Sequence, residues 1–265
     1  MNLGGLNKKV FRELISSQYA LMLDYRAEIF LWILSSILPF IMLSVWTNSD
    51  ISSSIGFDNV SLSRYFLSAF LVRQFSIVWV VKAFESDALL GRISPFILQP
   101  LHPLWRYFAT HLSEQFARLP FVAGIVCFFF LVNPDSFWIP QLNQLLGAWL
   151  ATWLSFVIGF LLQSIICSLC FWTEKATGLE RAIGGPYLFL SGLLAPISAF
   201  PTAIQKITYF TPFPYMISFP AQILAGQENH VLYGYLVQLL WIVILLPLLV
   251  ILWKTGIRNY TAMGA

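Results

Sequence analysis

The amino-acid sequence predicts an all-α polytopic membrane protein with six transmembrane helices. Three observations carry this: six long apolar stretches, a composition 58% hydrophobic and only 10% charged, and basic residues gathered on one side of the stretches. A hydrocarbon core of ~30 Å needs roughly 20 helical residues to cross it. Lipid offers the backbone no hydrogen-bond partner, so each crossing is expected as a helix. A transmembrane barrel would show short alternating segments, whereas this chain has long unbroken runs. Spans and connections use up residues 1–265, which read as a single transmembrane domain.

Residues 6–26 read as an amphipathic interfacial helix. Val10, Leu14, Tyr19, Leu21 and Leu23 alternate with Lys8, Lys9, Arg12, Glu13 and Asp24 at near-helical spacing. Such a helix lies in the acyl boundary, or serves only as a topogenic tail. The N-terminus is polar, with Asn2 and Asn7, and the first apolar run begins only near Ile29. That is too late and too long for a signal peptide, so the first span is expected to stay uncleaved. It covers 28–46 and is interrupted by Pro39. A loop over 47–61 carries Asp50 and Asp58 but no Lys or Arg. The second span is expected at 62–82, the third at 112–132 and a long fourth at 141–172. A charged loop from Thr173 to Arg181 precedes the fifth, at 182–197, and the last is expected at 231–253.

Orientation follows from the basic residues. Lys8, Lys9, Arg12, Arg26, Lys82, Arg92, Arg106, Arg118, Lys175, Arg181, Lys254 and Arg258 share one side, against Arg64 and Lys206 on the other. The positive-inside rule puts that side, and both termini, in the cytoplasm. The net charge of +3 therefore reflects topology and implies no nucleic-acid partner. Cys127, Cys167 and Cys170 all fall in apolar runs, which gives no disulfide framework.

Two segments depart from simple connection. Residues 83–100 form a cytoplasmic projection: Glu85 and Asp87 are expected in the first turn of a short helix, where the dipole favours acids. Gly91 is expected to cap that helix before Arg92. Ser94-Pro95 and Gln99-Pro100-Leu101-His102-Pro103 then favour extended or turned backbone. The projection is either an ordinary loop or a docking surface for a cytoplasmic partner. Residues 198–230 carry four prolines, too many for one crossing helix yet in an apolar setting. Two short helices that enter the outer leaflet and turn back satisfy both constraints.

The order of these features resembles the ABC-2 type transporter permeases, in particular their bacterial six-span branch beside a separate ATPase, with a type V exporter-like fold. The resemblance rests on Ser191-Gly192 through Pro196, Phe200-Pro201, Pro212-Phe213 and Phe219-Pro220 to Gly226, and on Gly91-Arg92-Ile93 through Leu98-Gln99-Pro100-Leu101-His102. It implies that residues 83–100 hold a coupling helix seated on an ABC ATPase, with Glu85, Asp87, Gly91 and Arg92 as contacts. It implies a broken re-entrant hairpin near the outer gate, which places Pro196 and Phe213 there. It implies two permeases, a homodimer or a related heterodimer, in membrane lipid, flanking a path lined by spans two and five. ATP and Mg are then held by the partner. This chain has no G-x-x-x-x-G-K-[ST] loop and is expected to bind no cofactor and to hydrolyse nothing itself. The implied location is the cytoplasmic membrane of a bacterium, and the implied function is export of an amphipathic, lipid-like or drug-like cargo.

Single residues refine this reading. Arg73 lies near the middle of span two, where an Arg costs ~2.5–3.5 kcal/mol on insertion scales. It either contacts cargo or gate on the path, or bonds to carbonyls or an internal partner. Phe75 and Trp79 share its span and could stack against cargo. Gly184-Gly185-Pro186 is a hinge or only a helix start. Glu114 and Arg118 are spaced for a local pair, and Gln163 is interhelical glue or a cargo ligand. Cys167 and Cys170 have C-x-x-C spacing but read as buried thiols, and the three His residues are too scattered for a metal site. An autonomous secondary transporter or channel is the rival function. It would need intramembrane acids for ion coupling, and spans one, two, four, five and six have none at their centres.

Overall fold

The computed structural model describes residues 8–24, 26–35, 37–48, 58–173 and 175–259; Asn2, Asn7 and Asp50 lie outside them. Every regular element among the described residues is helical. Helix α1 spans Lys8–Asp24, and the first apolar run divides into α2 (Arg26–Ser35) and α3 (Leu38–Thr47). Pro39 stands in the first turn of α3, where a missing N–H removes no bond. Helix α4 (Asn59–Ser76) starts at Asp58, whose carboxylate accepts the Ser61 backbone N–H at 3.2 Å.

The second apolar run, expected as one helix over 62–82, is interrupted. Helix α4 ends at Ser76, residues 77–80 are non-helical, and α5 (Val81–Leu89) begins anew. The local signal is the β-branched cluster Ile77, Val78, Val80 and Val81, whose side chains crowd a helical turn. Gly91, at φ 68°, then turns the chain into α6 (Ile93–Ile97). Two expectations for this projection are corrected. Glu85 and Asp87 are not in a first turn, because α5 starts at Val81. Ser94-Pro95 is helical, because Pro95 falls in the first turn of α6, where N–H groups lack intrahelical acceptors.

The long helices are α7 (Leu104–Val132), α8 (Leu142–Thr173) and α12 (Val231–Asn259). Helix α9 (Thr177–Leu190) starts and stops earlier than the expected 182–197, because Gly192, at φ 87°, ends the run. Its 14 residues span about 21 Å, short of a full hydrocarbon core. Residues 198–230 contain two short helices, α10 (Thr202–Tyr209) and α11 (Ser218–Ala225). Four described stretches are long and apolar enough to cross a membrane: 59–89, 104–132, 142–173 and 231–259.

Helix α4 is the centre of the bundle, with Tyr65, Phe66 and Phe70 fully buried. Helix α3 packs on it, α11 wedges between it and α8, and α12 runs along α8. Helix α1 lies against the first turns of α7, where the Ser113 hydroxyl donates to Ile15 O at 3.0 Å. Helix α9 sits at the edge with no buried residue. The prolines and glycines of 191–226 leave backbone groups that no helix satisfies, and side chains from the bundle reach them. Tyr65 Oη donates to Gly192 O at 2.7 Å, and Trp46 Nε1 to Leu194 O at 3.0 Å. Ser155 Oγ and Gln238 Nε2 both donate to Tyr215 O, at 3.0 and 2.8 Å.

A Cβ on Gly192 would stand 2.5 Å from Tyr65 Oη and 2.7 Å from Ser218 Cβ, in backbone already at positive φ. Gly192→Ala is expected to cost roughly 1–3 kcal/mol, read as a lowered thermal midpoint of the purified protein in detergent.

Candidate functional site

The interruption at 77–80 strands carbonyls at the end of α4 and N–H groups at the start of α5 in apolar surroundings. Four side chains from α7 and α8 take them up. Arg118 Nη1 donates to Gln74 O at 2.9 Å, and Gln115 Nε2 to Phe75 O at 2.7 Å. The Trp79 N–H donates to His111 Nε2 at 3.1 Å, so the proton sits on Nδ1, which donates to Tyr107 O at 2.8 Å. The Val80 and Val81 N–H groups share Gln163 Oε1, at 3.2 and 3.3 Å.

Charge gathers at the same level. Glu114 and Arg118 form the expected i,i+4 pair, both side chains only 2% exposed. The Arg118 guanidinium also lies 4.7 Å from the Trp79 ring centroid. Arg73 is in the last turn of α4, not in mid-helix, because the helix ends at Ser76. It is partly exposed, lies beside the Tyr187 hydroxyl of α9, and is close enough to Arg118 for the two charges to repel.

A second polar cluster ties the projection to α9. The Glu85 carboxylate accepts the backbone N–H groups of Ala176 and Thr177 at 2.7 and 2.8 Å, and the Thr177 hydroxyl at 3.3 Å. It thus caps the N-terminus of another helix, where a negative charge opposes the dipole. Gln163 extends the link: its Nε2 donates to Glu180 Oε1 at 3.1 Å while its Oε1 holds α5. Gln163 is therefore interhelical glue. Asp87 also faces the bundle, accepting from Tyr107 Oη at 2.6 Å and pairing with Arg92 Nε at 3.2 Å. Phe84 anchors α5 beneath the bundle, its ring 5.8–5.9 Å from those of Tyr107, Phe171 and Trp253. Among the polar residues that the projection leaves outward, two large apolar side chains stand out: Leu90 is 64% and Leu98 87% exposed.

The remaining sequence candidates are dispersed. Pro196 is buried in the hairpin, and Phe213 packs edge-on against Tyr187 at 6.1 Å. Gly184, Gly185 and Pro186 lie within α9, all exposed. Cys167 and Cys170 are buried free thiols.

A family profile described as ABC-2 family transporter protein matches residues 22–264, nearly the whole chain. The chain belongs to the ABC-2 family. It is thus an ABC transporter permease, and membership implies association with an ABC ATPase. No curated protein and no solved structure matches it. In this ABC-2 permease, Arg73, Phe75 and Trp79 converge at the interruption, while Glu85, Asp87, Gly91 and Arg92 share the projection. His111, Gln115 and Phe84 were not signalled by motif, because their partners are distant in sequence, although Phe84 as an aromatic in a polar segment was a clue.

Removing one member of a buried ion pair leaves the other uncompensated. Glu114→Gln is expected to destabilise this permease by about 3–5 kcal/mol, followed by unfolding in mixed micelles. The double variant with Arg118→Leu should lose less than the sum of the two single losses.

Proposed function

We propose that this ABC-2 permease is the membrane subunit of a bacterial exporter, moving an amphipathic or lipid-like cargo with ATP hydrolysed on a separate subunit. It crosses the cytoplasmic membrane six times with both termini in the cytoplasm. Helix α9 and the turns that follow it make up the fifth crossing. Two permeases, identical or related, flank a path between α4 and α9. A 14-residue helix with no buried residue, whose Ile183 and Phe189 are exposed, supports such a neighbour. ATP and Mg are bound by the ATPase subunits beneath.

The observation that carries this reading is the tie from the projection to α9 through Glu85. The ATPase seats on α5 and α6 through Leu90, Leu98 and Arg92, while Gly91 allows the turn between them. Exposed leucines in an otherwise polar segment suit a docking face. When the ATPase subunits close, they push α5. The non-helical residues 77–80 let α5 move without dragging all of α4, and Glu85 passes the displacement to the first turn of α9. Pro186 offers no N–H to the preceding turn, so Gly184-Gly185-Pro186 is the place where α9 yields. Arg73 and Phe75 of α4, with Trp79 of the interruption, form the wall of the path opposite α9. Pro196 and Phe213 stand at its outer gate.

Leu98→Glu is expected to weaken binding of the co-purified ATPase by about tenfold or more, measured by titrating the ATPase onto permease in nanodiscs. Unchanged affinity rejects the docking face. Glu85→Ala should keep docking and lower cargo moved per ATP by about tenfold in proteoliposomes. Wild-type stoichiometry there rejects transmission through Glu85.

A further inference from the structure

Arg73 has no counter-charge among the described residues. Among the described residues the ion pairs are Arg92 with Asp87 and Arg118 with Glu114, so no carboxylate lies within ion-pair distance of Arg73. Its Nε is buried and has no hydrogen-bond partner among those residues. The end of α4 does not supply one either. The carbonyl of Arg73 accepts the Ile77 N–H, that of Gln74 is taken by Arg118, and that of Phe75 by Gln115. Glu114, the acid at this level, is committed to Arg118, and Arg118 repels Arg73. Of the two guanidinium groups at this level, only that of Arg118 has a carboxylate partner among the described residues.

Cations in such surroundings persist when something anionic meets them. Arg73 is partly exposed and reachable, and the Tyr187 hydroxyl beside it adds a second donor. Phe213 packs on Tyr187, and Ile183 and Phe189 are exposed on the same helix as Tyr187, which provides an apolar flank. We propose that Arg73, with the Tyr187 hydroxyl, binds the anionic head group of an amphiphile whose apolar tail lies along α9. The guanidinium takes a phosphate or carboxylate through charge-assisted, two-pronged hydrogen bonds. This rests on the exporter reading for its biological meaning, because it names the class of cargo. The site itself is testable without the ATPase.

The test uses the purified full-length permease in dodecyl maltoside, a neutral background, with thermal unfolding followed against added probe. Dodecyl phosphate is expected to raise the midpoint of the wild type in a concentration-dependent manner. Arg73→Gln should weaken that response by about tenfold or more, whereas Arg181→Gln, at an exposed cation on α9, should not. Should Arg73→Gln not fold, Arg73→Met, suited to apolar surroundings, carries the same comparison. Dodecyltrimethylammonium and inorganic phosphate are expected to give no shift. Equal response in the Arg73 variants, or an equal shift from either of those two probes, overturns the proposal. With the ATPase present, dodecyl phosphate should also stimulate hydrolysis. Binding without stimulation upholds the site and removes its role in export.

Discussion

The structure depends on one constraint: a backbone N–H or C=O withdrawn from water must find a partner. Regular helices meet it internally, so the informative places are those where helices stop. At 77–80 the partners are Arg118, Gln115, His111 and Gln163. At the start of α9 the partner is Glu85. Around the hairpin the partners are Tyr65, Trp46, Ser155 and Gln238. Each buried polar side chain in these sets reads as a servant of some irregular stretch elsewhere in the chain.

This arrangement divides the molecule into two regimes. The hairpin end is held by hydrogen bonds and by close packing of α11 between α4 and α8. The projection end is jointed: α5 is separated from α4 by four non-helical residues, yet clamped to α8 and α9 by Gln163 and Glu85. Phe84, buried among Tyr107, Phe171 and Trp253, anchors α5 at this end.

Much of this was legible from local pattern. Hydropathy located the long helices, the four prolines of 198–230 announced two short helices in place of one, and Gly91 marked its turn. The i,i+4 spacing of Glu114 and Arg118 gave their pairing. By resemblance Glu85 and Asp87 were read as contacts for the ATPase; in the structure their carboxylates reach Ala176, Thr177 and Tyr107. A carboxylate's partner some 90 residues away leaves no trace in local spacing. The interruption at 77–80 was hidden for a related reason, since its β-branched residues are as hydrophobic as any span.

By itself, the sequence determined the all-helical class, the membrane setting, the ABC-2 kinship and the two segments that depart from regular helix. The class, the setting and the two segments follow from composition and short-range periodicity, which act over a few turns; the kinship follows from a resemblance over nearly the whole chain. Only the tertiary structure decided where span two breaks, which helix Glu85 caps, which leucines remain outward, and that Arg73 meets no counter-ion among the described residues. Those outcomes depend on which polar groups meet across helices. Hydrogen bonding and charge pairing are settled by distance in space, which one-dimensional order does not contain.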